Sequence, residues 1–472
     1  MQQQRRAPRA WVISLAAIPL ALSQALAAQS TAVWTAASGN HATPGNWRTG
    51  VAPLNSVVNT YIVQIDTGKT VAYTTTGAQA IDQLFLDMGS RLNLSTPSAF
   101  QRTDLTVLGQ ALIAGSISVD KGPFTALAAG SDFVGNATTV SATGGSVVKI
   151  GATAFSASGL AGATILNAGG AGSLVNLSGV KRLDAGHNSV YSSYITATSG
   201  AKIKLSGVTS LIAPSSNAAL VFAANGGANI NLASLQNVSN GKVNFNVASA
   251  GSLLLHGIDA GPGVNINLSG AGSSLTVAGS LAMLAGSTLA AGAGTRIDIS
   301  GSGSFEQTVE SQMNLDLATL GFSGSGAHWL EIGGRRNGTP ASAAPVLGNF
   351  AIGQLVVGQA NAAATWVQLV DAVNNGNRVG TTGEALYLNS DADGNGLAIL
   401  GGSTLVIGSL DVYTYQSGQW VHLNALFKPG ETKRPYDHGF VSLTPVPEPR
   451  TMAMLLAGLG FVAWRQRRRA AA

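Results

Sequence analysis

The chain has 472 residues, no cysteine, 60 glycines and only 10% charged residues. Without cysteine there is no disulfide scaffold. The chain is too apolar for intrinsic disorder and too poor in long charged side chains for a helical bundle, which favours an all-β protein with many turns. The formal charge of +5 comes from the ends: leaving out three arginines before residue 10, and Glu448 with five arginines from residue 450 onward, gives 18 basic against 20 acidic residues. That body lacks the basic footprint of nucleic-acid binding.

In chain order, Arg5, Arg6 and Arg9 precede an apolar run, Trp11–Leu22, and then the small-residue sequence ALAA at 25–28. A basic stretch, a short apolar stretch and an A-x-A pattern in this order predict a secretory signal peptide over residues 1–27. Cleavage is expected after Ala27, with Ala25 and Ala27 as the small residues and Ala28 as the first mature residue.

Residues 28–143 read as an N-terminal cap and the first coils of a repetitive body. Trp34, Asn46-Trp47, Gly50 and Pro53, followed by the alternating strand YIVQIDTG at 61–68, resemble the entry segment of secreted β-helical, autotransporter-passenger-like proteins. The resemblance implies two tryptophans that plug the open end of a β core.

The stretch 144–304 is a repeat. Glycine, a small residue, any residue and then an aliphatic recur as GSVVKI, GSLVNL, GAKIKL, GANINL, GSLLLH, GSSLTV and GTRIDI, starting at Gly145, Gly172, Gly200, Gly227, Gly251, Gly272 and Gly294. Successive glycines are 27, 28, 27, 24, 21 and 22 residues apart, and GSRLNL from Gly89 carries the same signature earlier. Alternation puts the aliphatics on one face of a strand, and the glycine supplies the tight turn before it. A period of this size accommodates one coil of two or three short strands, so the pattern predicts a parallel β-solenoid. Val148, Val175, Ile203, Ile230, Leu254, Leu275 and Ile297 are expected to form one internal column. Asn176, Asn231 and Asn267 either ladder or face water. An antiparallel sandwich array would explain the alternation but not a motif at near-constant phase, and regular aliphatic placement argues against low-complexity sequence.

Residues 305–427 lose the rhythm, gain aromatics and longer strands, and are expected to close the stack. Residues 428–446 read as an exposed linker rich in proline, glycine and charge.

Catalytic chemistry finds little support. Glycoside hydrolysis usually needs paired carboxylates, yet residues 145–304 hold only Asp184, Asp259 and Asp298. Lys181, Arg182 and Asp184 form the nearest charged cluster, read as a solvated turn. The histidines at 41, 187, 256, 328, 422 and 438 have no zinc-ligand spacing. In DADGNG, Asp391, Asp393 and Asn395 match positions one, three and five of a calcium loop, and Gly396 its turn glycine, but the twelfth position is Gly402. A loop between strands is the plainer reading, and no cofactor is expected.

The chain ends in PVPEPRTMAMLLAGLGFVAWRQRRR, residues 445–469. Its apolar run, 451–464, is shorter than the roughly 20 residues of a comfortable membrane span. Pro447-Glu448-Pro449, that run as an apolar helix, and Arg465, Arg467, Arg468 and Arg469 together resemble the PEP-CTERM sorting signal. Arg450 departs from the small residue usual there. The resemblance implies recognition by an exosortase, a membrane processing enzyme of Gram-negative bacteria that make exopolysaccharide. It also implies transient membrane contact before delivery to the cell surface or extracellular space. The expected function is a non-enzymatic surface or matrix protein linked to exopolysaccharide, biofilm or adhesion. The alternatives are a carbohydrate-active enzyme, or a carbohydrate-binding protein with Tyr191, Tyr194 or Trp420 as platforms.

Overall fold

The computed structural model describes residues 28–444 apart from 97, 99, 100, 216, 379–382 and 391–393. The predicted signal helix, the cleavage residues Ala25 and Ala27, and the apolar C-terminal helix lie outside the described residues.

The repeat motif makes a corner and then a strand. Gly172 takes a φ of +80° and Gly294 one of +70°, conformations that a side chain would strain. The small residue that follows is buried. Where it carries a hydroxyl, that hydroxyl donates back to the carbonyl three or four residues earlier: Ser173 to Gly169 at 2.6 Å, Ser273 to Ser269 at 2.7 Å and Thr295 to Gly292 at 2.6 Å. Each such bond satisfies a turn carbonyl inside the wall.

Each coil contributes strands to two or three faces, and strands pair with the equivalent strand of the next coil except at two breaks on the third face. Parallel ladders join Val140–Thr143 to Thr164–Gly169 on one face, Val147–Ile150 to Leu174–Asn176 on the second, and Ala154–Ser156 to Arg182–Asp184 on the third. Among the described residues only two ladders are antiparallel, both near the C-terminus. There is no α-helix among the described residues, only short 3-10 turns such as Pro44–Asn46. One apolar core runs from Ala32 to Val441, and Ala351, Ala385, Tyr387 and Tyr413 form a small second cluster. The predicted all-β parallel solenoid is therefore the fold.

The internal column is Val148, Val175, Ile203, Ile230, Leu253, Leu275 and Ile297, continuing to Leu320, Leu355 and Leu397. Leu254, expected in it, instead pairs beside Asn231 and Thr276 and points outward. The corner here comes one residue early: Ala250 takes the left-handed turn at φ +63°, and Gly251 occupies the buried small position. The Gly89 motif likewise begins a strand, Arg91–Leu94, on the face that holds Val140–Thr143, not on the face of the later repeats.

The asparagines divide by role. Asn176 and Asn231 accept from the amides of Ser178 and Ala233, closing local turns, and Asn267 is exposed. The side-chain ladder forms elsewhere, where Asn265 donates to Asn244 at 2.8 Å and accepts from Thr288 at 2.7 Å.

Coil length shows on the third face alone. The longer coils carry strands Ala154–Ser156, Arg182–Asp184, Ser210–Ile212 and Asn237–Ser239 as one sheet; the shorter coils begin another at Ile258–Ala260. Shortening from 27 to 23 and then 22 residues removes chain from this face, while the other two faces run through unbroken. An earlier break on the same face, after Asp132–Phe133, is bridged by a side chain. Asp132 Oδ1 accepts from the amides of Thr153 and Ala154, and Oδ2 from the Thr153 hydroxyl.

Both ends are closed. At the start, Trp34 and Trp47 meet edge-to-face with ring centroids 4.9 Å apart, joined by an antiparallel bridge. His41 lies 3.7 Å from the Tyr73 ring, and Trp47 Nε1 donates to its carbonyl at 2.7 Å. At the other end, Lys433–Tyr436 and Gly439–Ser442 form a hairpin whose second strand pairs with Thr404–Val406. This corrects the expected linker: residues 428–444 are folded, because Val441 fills the core and Lys433 Nζ sits 4.0 Å above the Phe440 ring.

His41 makes the N-terminal cap sensitive to acid. Its Nε2 faces the Pro53 carbonyl at 3.3 Å, while Nδ1 has no partner, and burial lowers the imidazole to about 4. The unfolded chain takes up a proton near 6.5, so this contribution is complete above that pH and is lost as pH falls from 6.5 toward 4. The expected loss is about 3 kcal/mol. Denaturation midpoints at pH 7 and pH 4 should draw closer together in His41→Gln than in the parent. An unchanged gap would remove His41 as the cause.

Candidate functional site

The most unusual chemistry lies near the C-terminal end of the stack. Strands Gly326–Glu331 and Thr365–Val370 run parallel in register, placing Glu331 beside Val370 and hence next to Asp371. The sequence that follows is polar and glycine-rich, and Glu384 stands just before the wholly buried strand Ala385–Leu388. Glu331, Asp371 and Glu384 each bring a carboxylate oxygen into one group, all within 4.8 Å of one another. Among the described residues they are the one group of three or more potential ligands arranged this way.

Backbone amides orient the carboxylates. Glu331 Oε1 accepts from Val373 N at 2.8 Å, and Asp371 Oδ2 from Glu384 N at 2.9 Å. Glu384 Oε1 accepts from Asn375 N and Asn377 N at 3.0 and 3.2 Å. Arg378 Nε donates to Asp371 Oδ1 at 2.9 Å. Burial pushes Glu384 up to about 7, an effect that its amide donors and Arg378 oppose and Asp371 reinforces. Burial raises Glu331 in the same way. The sequence reading missed this group because its members are 40 and 13 residues apart and only the register of the coils joins them. The available signal was a pair of acids flanking an Asn/Gly-rich stretch, DAVNNGNRVGTTGE.

The residues singled out from sequence do not converge. Asp184 pairs with Arg182 at 3.0 Å and Asp298 with Arg296 at 2.6 Å, each across one strand, while Asp259 is exposed on another. Arg182 and Asp184 stand on a strand, not in the expected solvated turn. His187 contacts Ser193, His328 contacts Gly324 O, and His422 pairs with Asp411 at 3.0 Å. Tyr191 and Tyr194 are exposed, but Trp420, in the hairpin of Asp411–Gln416 and Gln419–His422, packs edge-on against Tyr415 and against Tyr387 of the neighbouring strand. Eight successive ladders separate it from the tyrosines, roughly 40 Å at ~4.8 Å per coil, so the three rings make no common platform. In the candidate calcium loop, Asp391 and Asp393 lie outside the described residues. Asn395 bridges to Gln416, and its carbonyl accepts from Gln354.

Pro447, Glu448, Pro449, Arg465, Arg467, Arg468 and Arg469 also lie outside the described residues. Among the described residues no helix is long and apolar enough to cross a membrane. Residues 445–469 match the PEP-CTERM protein-sorting motif. No curated protein and no solved structure matches the chain. The motif implies an exported protein that passes through the membrane to the cell surface or extracellular space and is processed by an exosortase.

Proposed function

From a chain that carries this sorting motif behind a β-solenoid, we propose a non-enzymatic protein of the cell surface or extracellular matrix that associates with exopolysaccharide. The sorting motif at residues 445–469 carries the reading, since it directs the solenoid to the compartment where such polymers accumulate. A long stack of coils with polar outer faces suits this role, because repeated ladders expose the same kinds of side chain at regular intervals. The sparse ionisable groups of the repeat are consistent with it. Asp184 and Asp298 are held in ion pairs with neighbouring arginines and are not opposed across a groove.

The intact mass of the protein recovered outside its cells tests the route. We expect the mass of a chain that starts at Ala28 and lacks the residues beyond the Pro447-Glu448-Pro449 region. In cells without exosortase the tail should be retained. The same preparation, incubated with a panel of exopolysaccharides, should co-sediment with at least one and depolymerise none. Lyase or hydrolase turnover would overturn the non-enzymatic reading.

A further inference from the structure

The corner built by Glu331, Asp371 and Glu384 contains acceptors that have no hydrogen-bond partner among the described residues. Glu331 and Glu384 are 2% and 1% exposed, yet Glu331 Oε2 and Glu384 Oε2 have no hydrogen-bond partner. Asn375, whose backbone amide donates to Glu384 Oε1, carries a further unpartnered acceptor, Oδ1. All three orphans are oxygens. Elsewhere in the protein the unpartnered atoms include donors, such as the indole nitrogens of Trp34 and Trp420. Leaving a buried polar atom unsatisfied is costly, and a cluster of acceptors alone points to a missing positive partner.

The charge count agrees. With all three ionised, the carboxylates face one guanidinium, Arg378, and two negative charges lack a partner at a largely buried corner; a bound cation would supply it. The four amides that donate to these carboxylates fix their orientation without neutralising them. The donor set is all oxygen, with no imidazole or thiolate, which suits a hard divalent cation. Calcium–oxygen distances of about 2.3–2.6 Å put opposite ligands about 5 Å apart, and the three oxygens here lie within 4.8 Å of one another.

We propose that Glu331, Asp371 and Glu384 bind a calcium ion that ties the ends of strands Gly326–Glu331 and Thr365–Val370 to the start of Ala385–Leu388. The site differs from the Asp391–Asn395 loop and does not depend on what the solenoid binds outside the cell.

The test uses the full chain after chelator dialysis. Adding 10 mM calcium chloride should raise the melting temperature by roughly 2–4 °C, the shift expected for an extracellular-type site. Hydrogen exchange at the amides of Val373, Asn375 and Asn377 should slow by about tenfold. The double variant Glu331→Gln/Glu384→Gln keeps the shape of the corner and removes its excess charge. It should melt no lower than the metal-free parent and show no response to calcium. Absence of both effects in the parent would overturn the proposal, as would the same rise in the double variant or an equal rise with magnesium. If the double variant does not fold, Glu384→Gln alone and the exchange measurement on the parent decide.

Discussion

Leu253→Asp is expected to destabilise the protein by about 3–5 kcal/mol, whereas Leu254→Asp, one residue on, should cost less than about 1 kcal/mol. Leu253 is 2% exposed and stands in the column between Ile230 and Leu275, so its replacement removes apolar burial and leaves a carboxylate with no partner. Leu254 stands between Asn231 and Thr276 on the outer side of the same strand, where a carboxylate keeps its water. Urea denaturation of the two variants under identical conditions reads the difference as a shift in midpoint. Similar midpoints, or the reverse order, would return the strand to the phase suggested by Gly251.

Trp34→Ala should cost about 3–5 kcal/mol, the usual range for deleting a large buried aromatic. Trp34 is fully buried, meets Trp47 edge-on, and terminates the first strand, Ala28–Val33. In a stack whose coils touch only their neighbours, loss of the end cover should act locally. Limited proteolysis should cut the variant first between residues 28 and 94, with the later coils still protected. The parent should resist at the same protease concentration. Uniform cleavage along the variant would mean that the cap supports the whole stack and not just its first coils.

Much of the architecture was legible because the coil writes itself locally. A turn glycine, a small buried residue and an alternating strand all fall within six residues, and their recurrence predicted the parallel pairing of Val148, Val175, Ile203 and Ile230. Local pattern could not fix phase where two residue types are interchangeable at the corner. Ala250 accepted the left-handed turn, and a shift of one residue turned Leu254 outward. Nor could it assign a face, so the Gly89 motif was grouped with strands it does not pair with. The Lys428–Thr444 stretch looked like a linker because prolines and charges surround the short alternation Gly439–Ser442, which becomes a strand only against Thr404–Val406. The carboxylate corner was hidden for a different reason: it depends on Glu331 and Val370 being neighbours across a ladder, which is a matter of register and not of local sequence.

The closed ends also give the molecule a fixed dimension. From Ser38–Asn40 to Asp411–Gln416, fourteen ladder steps follow one another, about 65 Å at ~4.8 Å each. The final hairpin, Lys433–Ser442, hands the chain to the sorting tail at one end of that distance, and the paired tryptophans sit at the other. The tryptophan-capped end and the hairpin that precedes the sorting motif are therefore held a fixed distance apart by the hydrogen-bonded ladders between them.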